Sequence, residues 1–593
     1  MFHVTETFYR SRPMQELDLT LHPFTTRGTY LKITALTGTK SGRLMIGTAQ
    51  EIPFLDLATR QWPHDYYEIA LLRDGRECTY RWHATAERLE LVCDQGCAVF
   101  AFDPPDTIVF EASGVALRLL PSHTTATCIC LSERERLIGD YRGWCVPQVA
   151  AGNGASIDIT ECPTAGGDTG PFGDKGRMIT IASPDGKSTG MLRFAPYATA
   201  MPSKPPALSS VITARRKAWA AWLGKMPCVA PRYREAAHYA WHLLYSLEVP
   251  VGGRLTRRPI LMSKLWMNRV WAWDNCFDAL GVCRADPQLA FDQLRLYYDN
   301  QAPTGQFADT MSSCRADFVY CKPPVYGWTM LELIRQLGVK RCMGFIRESY
   351  GPVSRLTEWW YTLRDRDRNG MCEYYHGNDS GWDNSTLFDQ GYPTDGADLA
   401  AWLVLQTEAL SVMAGLLGKK KEAAQWMRRS RRQMRLLLKN VRNDRFISPL
   451  SLTGKAAPAR SLLNYIPMVL GRRLPERIRK AMAADLSPGG PYLTEYGLAT
   501  EPVSSSKYQH DGYWRGPIWA PSTYLLFTGL VDAGEEAPAG EIARRFCDLC
   551  VKSPGMWENF DPQTGKGLCC PAYSWTAAVF LLMAHWLERG RTR

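Results

Sequence analysis

The sequence predicts an α+β multidomain chain: an N-terminal antiparallel β-sandwich followed by an (α/α)6 toroid. Three observations predict it. Apolar residues recur with period two before about residue 200 and with helical spacing after about residue 230. The second part holds twelve helical patterns with no strand-rich block between them. The long segments between those patterns collect aromatic and polar residues together. On this reading residues 1–202 form the sandwich, 203–230 a linker with a helix, and 231–593 the (α/α)6 domain.

The front elements are short, β-rich segments: RGTYLKITAL (27–36), YYEIALLRDG (66–75), ECTYRWHAT (77–85), RLELVCD (88–94) and GRMITIASPDGKSTGMLRFAP (176–196). Turn formers such as Asp74-Gly75 and Asp185-Gly186 separate them. SKPPALSS (203–210) has linker composition, and RRKAWAAWLGK (215–225) begins the helical spacing. Helical patterns follow at 231–247, 274–284, 287–301, 325–338, 345–364, 395–418, 419–440, 459–471, 473–485, 515–531, 536–551 and 573–590. Twelve helices in a domain of this length suit six inner and six outer helices, and no repeat of fixed period points to a solenoid.

Six interhelical segments mix Trp or Tyr with Asp, Asn, Gln, Glu or Arg. They are KLWMNRVWAWDNCFD (264–278), GQFADTMSS (305–313), EYYHGNDSGWDNSTLFD (373–389), TEYGLATEP (494–502), YWRGPIWAPSTY (513–524) and MWENFDPQTGKGLCC (556–570). Aromatic walls with a few convergent polar groups describe a small-molecule pocket. Any single acid in them has a plainer reading, as Asp274 could cap the helix that follows it. The 20 Trp and 26 Tyr suit a sugar site, because sugar C–H faces pack on aromatic planes, and they also suit large cores. Glycosidic cleavage needs one protonated and one ionised carboxyl group. Asp383, beside Trp382, and Glu558, beside Trp557 and Phe560, are the two acids whose neighbours would desolvate them and raise their pKa.

NDSGWDNST, YWRGPIW, and WENFDPQTG followed by YSWTAA resemble glycoside hydrolase family 63 and its trehalase relatives, most closely bacterial mannosylglycerate and glucosylglycerate hydrolases. The resemblance spans roughly residues 264 to 580 and implies an inverting enzyme acting on α-glucosides or α-mannosides. It implies Asp383 as general acid and Glu558 as general base. Trp273 and Asp274 become candidate sugar contacts, with Gln306, Trp382, Trp514, Arg515 and Trp557 as further substrate-binding candidates. His376 and His510 in the same loops leave open a helical-toroid epimerase, and the aromatic walls also fit a non-catalytic carbohydrate binder.

The net charge of +11 raises the question of nucleic acid. Much of it lies in KKKEAAQWMRRSRRQMRLLLK (419–439), where Trp426, Met427, Met434 and Leu438 read as the buried stripe of a helix with a solvated basic face. No nucleic-acid motif accompanies it, so a small carbohydrate is the expected partner. Arg254, Arg257, Arg258 and Arg515, near the loops, would suit an acidic aglycone such as glycerate. The start, MFHVTETFYRSRPMQELDL, has no signal-peptide core, and no later run reads as a membrane span. The 18 cysteines follow no disulfide or zinc framework, so reduced thiols and a cytoplasmic location are expected. No cofactor is expected. DRDRNG (365–370) resembles the start of a calcium loop, but its twelfth position is His376, and a tight hydrogen-bonded turn is the plainer reading.

Overall fold

A computed structural model of the chain describes residues 16–35, 42–51, 64–122, 125–140, 146–152, 154–164, 176–195, 205–456 and 458–591. Most of the stretch read for a signal peptide and the first two residues of the linker lie outside them. The chain divides into two compact units, Met1–Lys225 with Glu248–Pro250, and Met226–Leu247 with Val251–Arg593.

In the first unit the period-two segments form two antiparallel sheets. One runs in the order Leu31–Thr34, Met45–Thr48, His64–Arg73, Ala116–Pro121, Gly176–Ala182, Ser156–Cys162, with Arg76–Cys78 added beside His64–Arg73. The other runs Thr125–Ser132, Glu135–Asp140, Val146–Ala151, Lys187–Ala195, Thr107–Ser113, Gly96–Asp103, Leu89–Cys93, Arg81–Ala84. Alternate residues of both sheets, including Ile33, Ile69, Leu119, Phe100 and Phe110, share one apolar core. The intervening residues Ala101, Val109 and Met191 face a helix, α1 (Leu208–Leu223), through Leu208 and Val211. The alternation read from the sequence thus serves two different apolar layers.

In the second unit the helices are α2 (Arg234–Ser246), α3 (Asp274–Val282), α4 (Pro287–Asp299), α5 (Tyr326–Leu337), α6 (Val339–Leu363), the short α7 (Gly377–Ser380), α8 (Ala397–Leu416) and α9 (Lys420–Lys439). A 3₁₀ segment, Leu462–Arg473, precedes α10 (Glu476–Asp485), α11 (Ala520–Ala533), α12 (Glu536–Lys552) and α13 (Ser574–Arg591). Among the described residues, α3, α5, α8, the 3₁₀ segment, α11 and α13 touch in a closed circuit. Each is backed by one further helix: α4, α6, α9, α10, α12 and α2 respectively.

Three elements differ from the sequence reading. The pattern at 459–471 forms a 3₁₀ segment, because Pro467 removes a backbone donor and Gly471 turns the chain at φ 52°. In α9 the buried residues are Ser430, Gln433 and Leu437, while Trp426, Met427, Met434 and Leu438 are only half-buried. The small Ser430 lets the two helices approach and donates to the Val404 carbonyl of α8. α8 itself is long and apolar enough, by length and composition, to match a membrane span, with 72% of that window buried inside the chain. A helix apolar on every side is what a position inside the circuit requires.

Gly281 marks the tightest approach of α3 to α13. A Cβ there would lie 2.7 Å from the Ala578 Cβ. Gly281→Ala is expected to cost about 1–3 kcal/mol through overpacking, read as an earlier urea unfolding midpoint. Gly344→Ala, where nothing lies within 4 Å, should be neutral or stabilising by about 0.5–1 kcal/mol. Equal effects at both sites would refute this account of the α3–α13 contact.

Candidate active site

Short ladders fix the aromatic loops at one another's sides. Val270–Trp271 pairs with Thr310–Met311, and the Ala272 amide donates to the Asp309 carbonyl at 3.0 Å. This ladder sets Trp273 and Asp274 beside Asp309. Glu373–Tyr374 pairs with Thr394–Asp395 and closes the loop that carries Asp383. Ile518–Trp519 pairs with Asn559–Phe560, which brings the Tyr513–Trp514 turn to Glu558.

Asp379 anchors the loop of Asp383. Its Oδ2 accepts from Arg364 Nη1 at 2.8 Å and from the amides of Tyr375 and His376 at 2.9 and 3.2 Å. Its Oδ1 accepts from the Cys321 amide at 3.2 Å. Gly377 passes so close that a Cβ would sit 2.0 Å from the Asp383 carbonyl oxygen, and a Cβ on Gly381 would sit 2.7 Å from the Trp273 ring. The two glycines let the loop fold tightly behind Asp383.

The next residue, Asn384, clasps this loop to the 512–515 turn. Its Nδ2 donates to the Gly512 carbonyl at 3.0 Å, and its Oδ1 accepts from the Trp514 amide at 3.0 Å. Between those two anchor points stands Tyr513, held at φ 61°. A tyrosine in that region is strained. The Tyr513 hydroxyl donates to Glu558 Oε1 at 3.1 Å, and Trp519 Nε1 donates to the Tyr513 carbonyl at 2.9 Å. Glu558 Oε2 is buried and has no hydrogen-bond partner among the described residues. An acceptor left open in a buried site is costly unless something fills it, and an oxygen that must take a proton from water needs that opening.

Five indoles form the floor. Trp382 stacks on Trp514 at 4.5 Å, and Trp514 stacks on Trp519 at 4.0 Å with an interplanar angle of 6°. Trp273 lies 6.1 Å from Trp514 and meets Trp575 edge-on at 5.6 Å. All five are buried. Buried rings packed in these loops exclude water and strengthen the charges of the neighbouring acids.

Burial governs the titration of the acids. It pushes Glu558 up to about 8, against the pull of the Tyr513 hydroxyl and with help from the charges of Asp274 and Asp383. Burial likewise carries Asp274 up to about 8 and raises Asp383 and Asp309. Lys322 opposes the rise at Asp274, Asp309 and Asp383, and His376 opposes it at Asp383. Although burial disfavours its charge, the ammonium of Lys322 is held above its ordinary range by Asp309 and Asp383.

The structure therefore brings Asp383, Glu558, Asp274, Trp273, Trp382 and Trp514 into one cluster. Asp274 is the first residue of α3, in its first turn, while Trp273 holds the N-cap position. Arg515 instead braces the loop, donating to the Asn384 carbonyl at 2.8 Å and pairing with Asp389. Gln306 braces residues 318–320 by donating to the Phe318 and Tyr320 carbonyls, both at 3.1 Å. Trp557 makes no ring contact with the five indoles among the described residues. It packs under Gly567 and Gly555 and donates to the Pro554 carbonyl at 2.7 Å.

Lys322, Tyr513, Asn384, Asp309, Trp519 and Trp575 went unread in the sequence. Only their membership of, or adjacency to, the aromatic loops could have flagged them. The two histidines do not form a proton-moving pair: His376 is stacked between Tyr320 and Tyr392, and His510 is 71% exposed beside Asp561. Three of the four arginines read for an acidic aglycone are already neutralised, Arg257 by Asp299, Arg258 by Asp286 and Arg515 by Asp389. DRDRNG closes on itself through Asn369 to Asp367 and the Gly370 amide to Asp365, and Asn369 also donates to Asp395 outside it. Among the described residues, no group of three or more His, Cys, Asp or Glu is placed to hold a metal ion, and the cysteines are free thiols.

A family model described as the mannosylglycerate hydrolase MGH1-like glycoside hydrolase domain matches residues 267–576. The chain is 26% identical over 408 residues to the mannosylglycerate hydrolase of Rubrobacter radiotolerans, covering 52% of this chain and 89% of that one. It is 22% identical over 427 residues to the glucosylglycerate hydrolase of Mycolicibacterium hassiacum, covering 56% and 94%. A bacterial glucoamylase, solved in complex with acarbose, superposes with a TM-score of 0.59 at 11% identity, covering 98% of this chain and 96% of that one. That likeness concerns the fold, and it takes in the β-rich part as well as the helices.

The Asn384 clasp makes a specific prediction. Asn384→Ala removes two loop-to-loop hydrogen bonds and should cost about 1–3 kcal/mol. It should lower the melting temperature and make Trp514 more accessible to acrylamide quenching. Unchanged melting and quenching together would mean that the two loops do not depend on Asn384.

Proposed function

Since the chain belongs to the mannosylglycerate hydrolase MGH1-like glycoside hydrolases, we propose that it hydrolyses an α-linked mannoside or glucoside with inversion. Asp383 serves as general acid and Glu558 as general base, on an (α/α)6 scaffold of the kind the closed helical circuit suggests. Membership of a hydrolase family sets aside the epimerase and the non-catalytic binder. The observation that carries the proposal is the open Glu558 Oε2. It is a buried carboxyl oxygen, oriented through Oε1 by Tyr513, in the same charge cluster as Asp383.

An acid–base pair works with one proton between its two members. Burial raises both groups, and each ionised carboxyl disfavours ionisation of the other. The singly protonated pair is therefore favoured across a broad middle range, and its two titrations belong to the pair as a unit. Glycerate is the aglycone that the mannosylglycerate and glucosylglycerate hydrolases among the relatives favour. The paired arginines lend it no support.

A second assignment has one observation in its favour. Lys322 and His376 draw Asp383 toward its ionised form, while Glu558 sits at about 8. That pull toward an ionised Asp383 would suit exchanged roles. An α-glycosyl fluoride separates the two assignments, because fluoride leaves without a proton. Asp383→Asn should retain fluoride hydrolysis and lose glycosyl-glycerate hydrolysis by about 10²–10⁴-fold, whereas Glu558→Gln should lose both. The opposite pattern exchanges the roles. Proton NMR before mutarotation should show the β-anomer first; release of the α-anomer would overturn inversion.

The pH profile follows from the same inventory. Above about 8 the pair loses its shared proton, so kcat/KM should fall through an alkaline limb near that value. A profile flat to pH 10 would contradict the dependence on a protonated Glu558–Asp383 pair.

A further inference from the structure

Lys322 is the buried cation of this cluster, and the proposed chemistry leaves it without a task. It is 6% exposed, lies 2.9 Å from Asp309 Oδ1, and donates to the Asn378 carbonyl at 2.8 Å. A buried ammonium is expensive to desolvate, and one ion pair with one carbonyl contact leaves its third N–H over. Asn378 lies in the turn that backs Asp383, where the neighbouring Gly377 touches the Asp383 carbonyl. The lysine is thus bound to the support of Asp383 while its charge acts on that carboxyl group. The adjacent Cys321 amide is bound to Asp379 in the same turn. Two consecutive residues of the 316–322 segment therefore grip the catalytic loop from behind.

We propose that Lys322 is a positioning residue for the carboxyl pair: it fixes the Asp383 turn through Asn378 and supplies the buried positive charge that acts on the Asp383 carboxyl group. This rests on the reading that Asp383 and Glu558 are the working pair. The charged and titratable groups around the two are Asp274 and Asp309 from the neighbouring loops, His376 and Asp379 from the catalytic loop, and Tyr513, Tyr573, Cys569 and Cys570 around Glu558. Lys322 is the cation that acts on Asp274, Asp309 and Asp383 alike. Glu558, by contrast, is held by Tyr513 and repelled by Asp274 and Asp383. Loss of the lysine charge should therefore move one limb of the pH profile and leave the other nearly still.

The test is the kcat/KM profile of the full-length chain on an α-glycosyl-glycerate, for Lys322→Met, Lys322→Gln and Lys322→Arg. Lys322→Gln keeps a donor for Asp309 or Asn378 and protects against simple misfolding of the methionine variant; circular dichroism melting checks both. The Met and Gln variants should shift the acidic limb upward by about one pH unit, a tenfold loss on the acidic side, with the alkaline limb unmoved. Lys322→Arg, which keeps the charge, should retain the wild-type acidic limb. A folded Lys322→Gln with an unmoved acidic limb would overturn the proposal. So would an equal loss at every pH, which is what a purely structural lysine would give. Asp383→Asn measured in parallel keeps the two ideas apart: if it retains full activity on the glycosyl-glycerate, the carboxyl pair is wrong. If it is inactive while the lysine variants leave the limb in place, only the role of Lys322 is wrong.

Discussion

Asp379 sits where three chain segments meet, the end of α6, the 316–322 segment and the loop that carries Asp383. Its carboxylate takes hydrogen bonds from Arg364, Cys321, Tyr375 and His376, and it is 1% exposed. A carboxylate so buried is tolerable because a guanidinium and three amides replace its water. Arg364 is held in turn over the rings of Tyr375 and Trp359, at 4.2 and 5.2 Å. Two of the segments that meet at Asp379 then deliver a working group: Lys322 one residue beyond Cys321, and Asp383 four residues beyond Asp379. Breaking such a buried pair on one side typically costs about 3–5 kcal/mol, far more than the pair contributes by forming. The site geometry is therefore set by a carboxylate outside the proposed reacting pair.

The same logic explains the crowding of acids. Asp274, Asp309, Asp383 and Glu558 share a desolvated region with Lys322, and each is raised by burial. Four ionised carboxylates could not coexist there beside one ammonium, since each unit of pKa displacement is about 1.4 kcal/mol. The protein resolves the conflict by keeping protons on some of them at neutral pH. A site that must hold one proton ready and one carboxylate open needs that surplus of buried acid. The stacked indoles beneath maintain the low dielectric on which the arrangement depends.

How much of this could be read in the sequence depended on whether the signal was local. The change from period two to helical spacing is local, and the β-rich front and most of the helices were legible from it. Asp383 and Glu558 were legible because each stands beside an aromatic residue in a loop too polar to be core. Trp273, Trp382 and Trp514 were legible for the same reason. Lys322 was not, because CKPP reads as an ordinary turn, and its partners Asp309 and Asn378 are brought to it only by the fold. Tyr513 was hidden because nothing in YWRGPIW announces a positive φ at a tyrosine. Trp519 and Trp575 stand at helix starts, where an indole reads as core packing.

Arg515 and Trp557, read from the same loops, make other contacts. Each stands in a loop that does reach the site. Yet Arg515 turns back to Asp389 and the Asn384 carbonyl, and the indole of Trp557 is pinned by Pro554, Gly555 and Gly567. Their neighbours Trp514 and Glu558 do enter the cluster. Neighbouring side chains in these turns diverge, so one residue of a motif joins the charge cluster while the next holds the loop in place. Asp383 and Asn384 divide in the same way, one acting on Lys322 and the other clasping the turn of Tyr513. The motif SGWDNST is thus half chemistry and half clasp, and the Asn384 half joins the acid's loop to the tyrosine that orients the base.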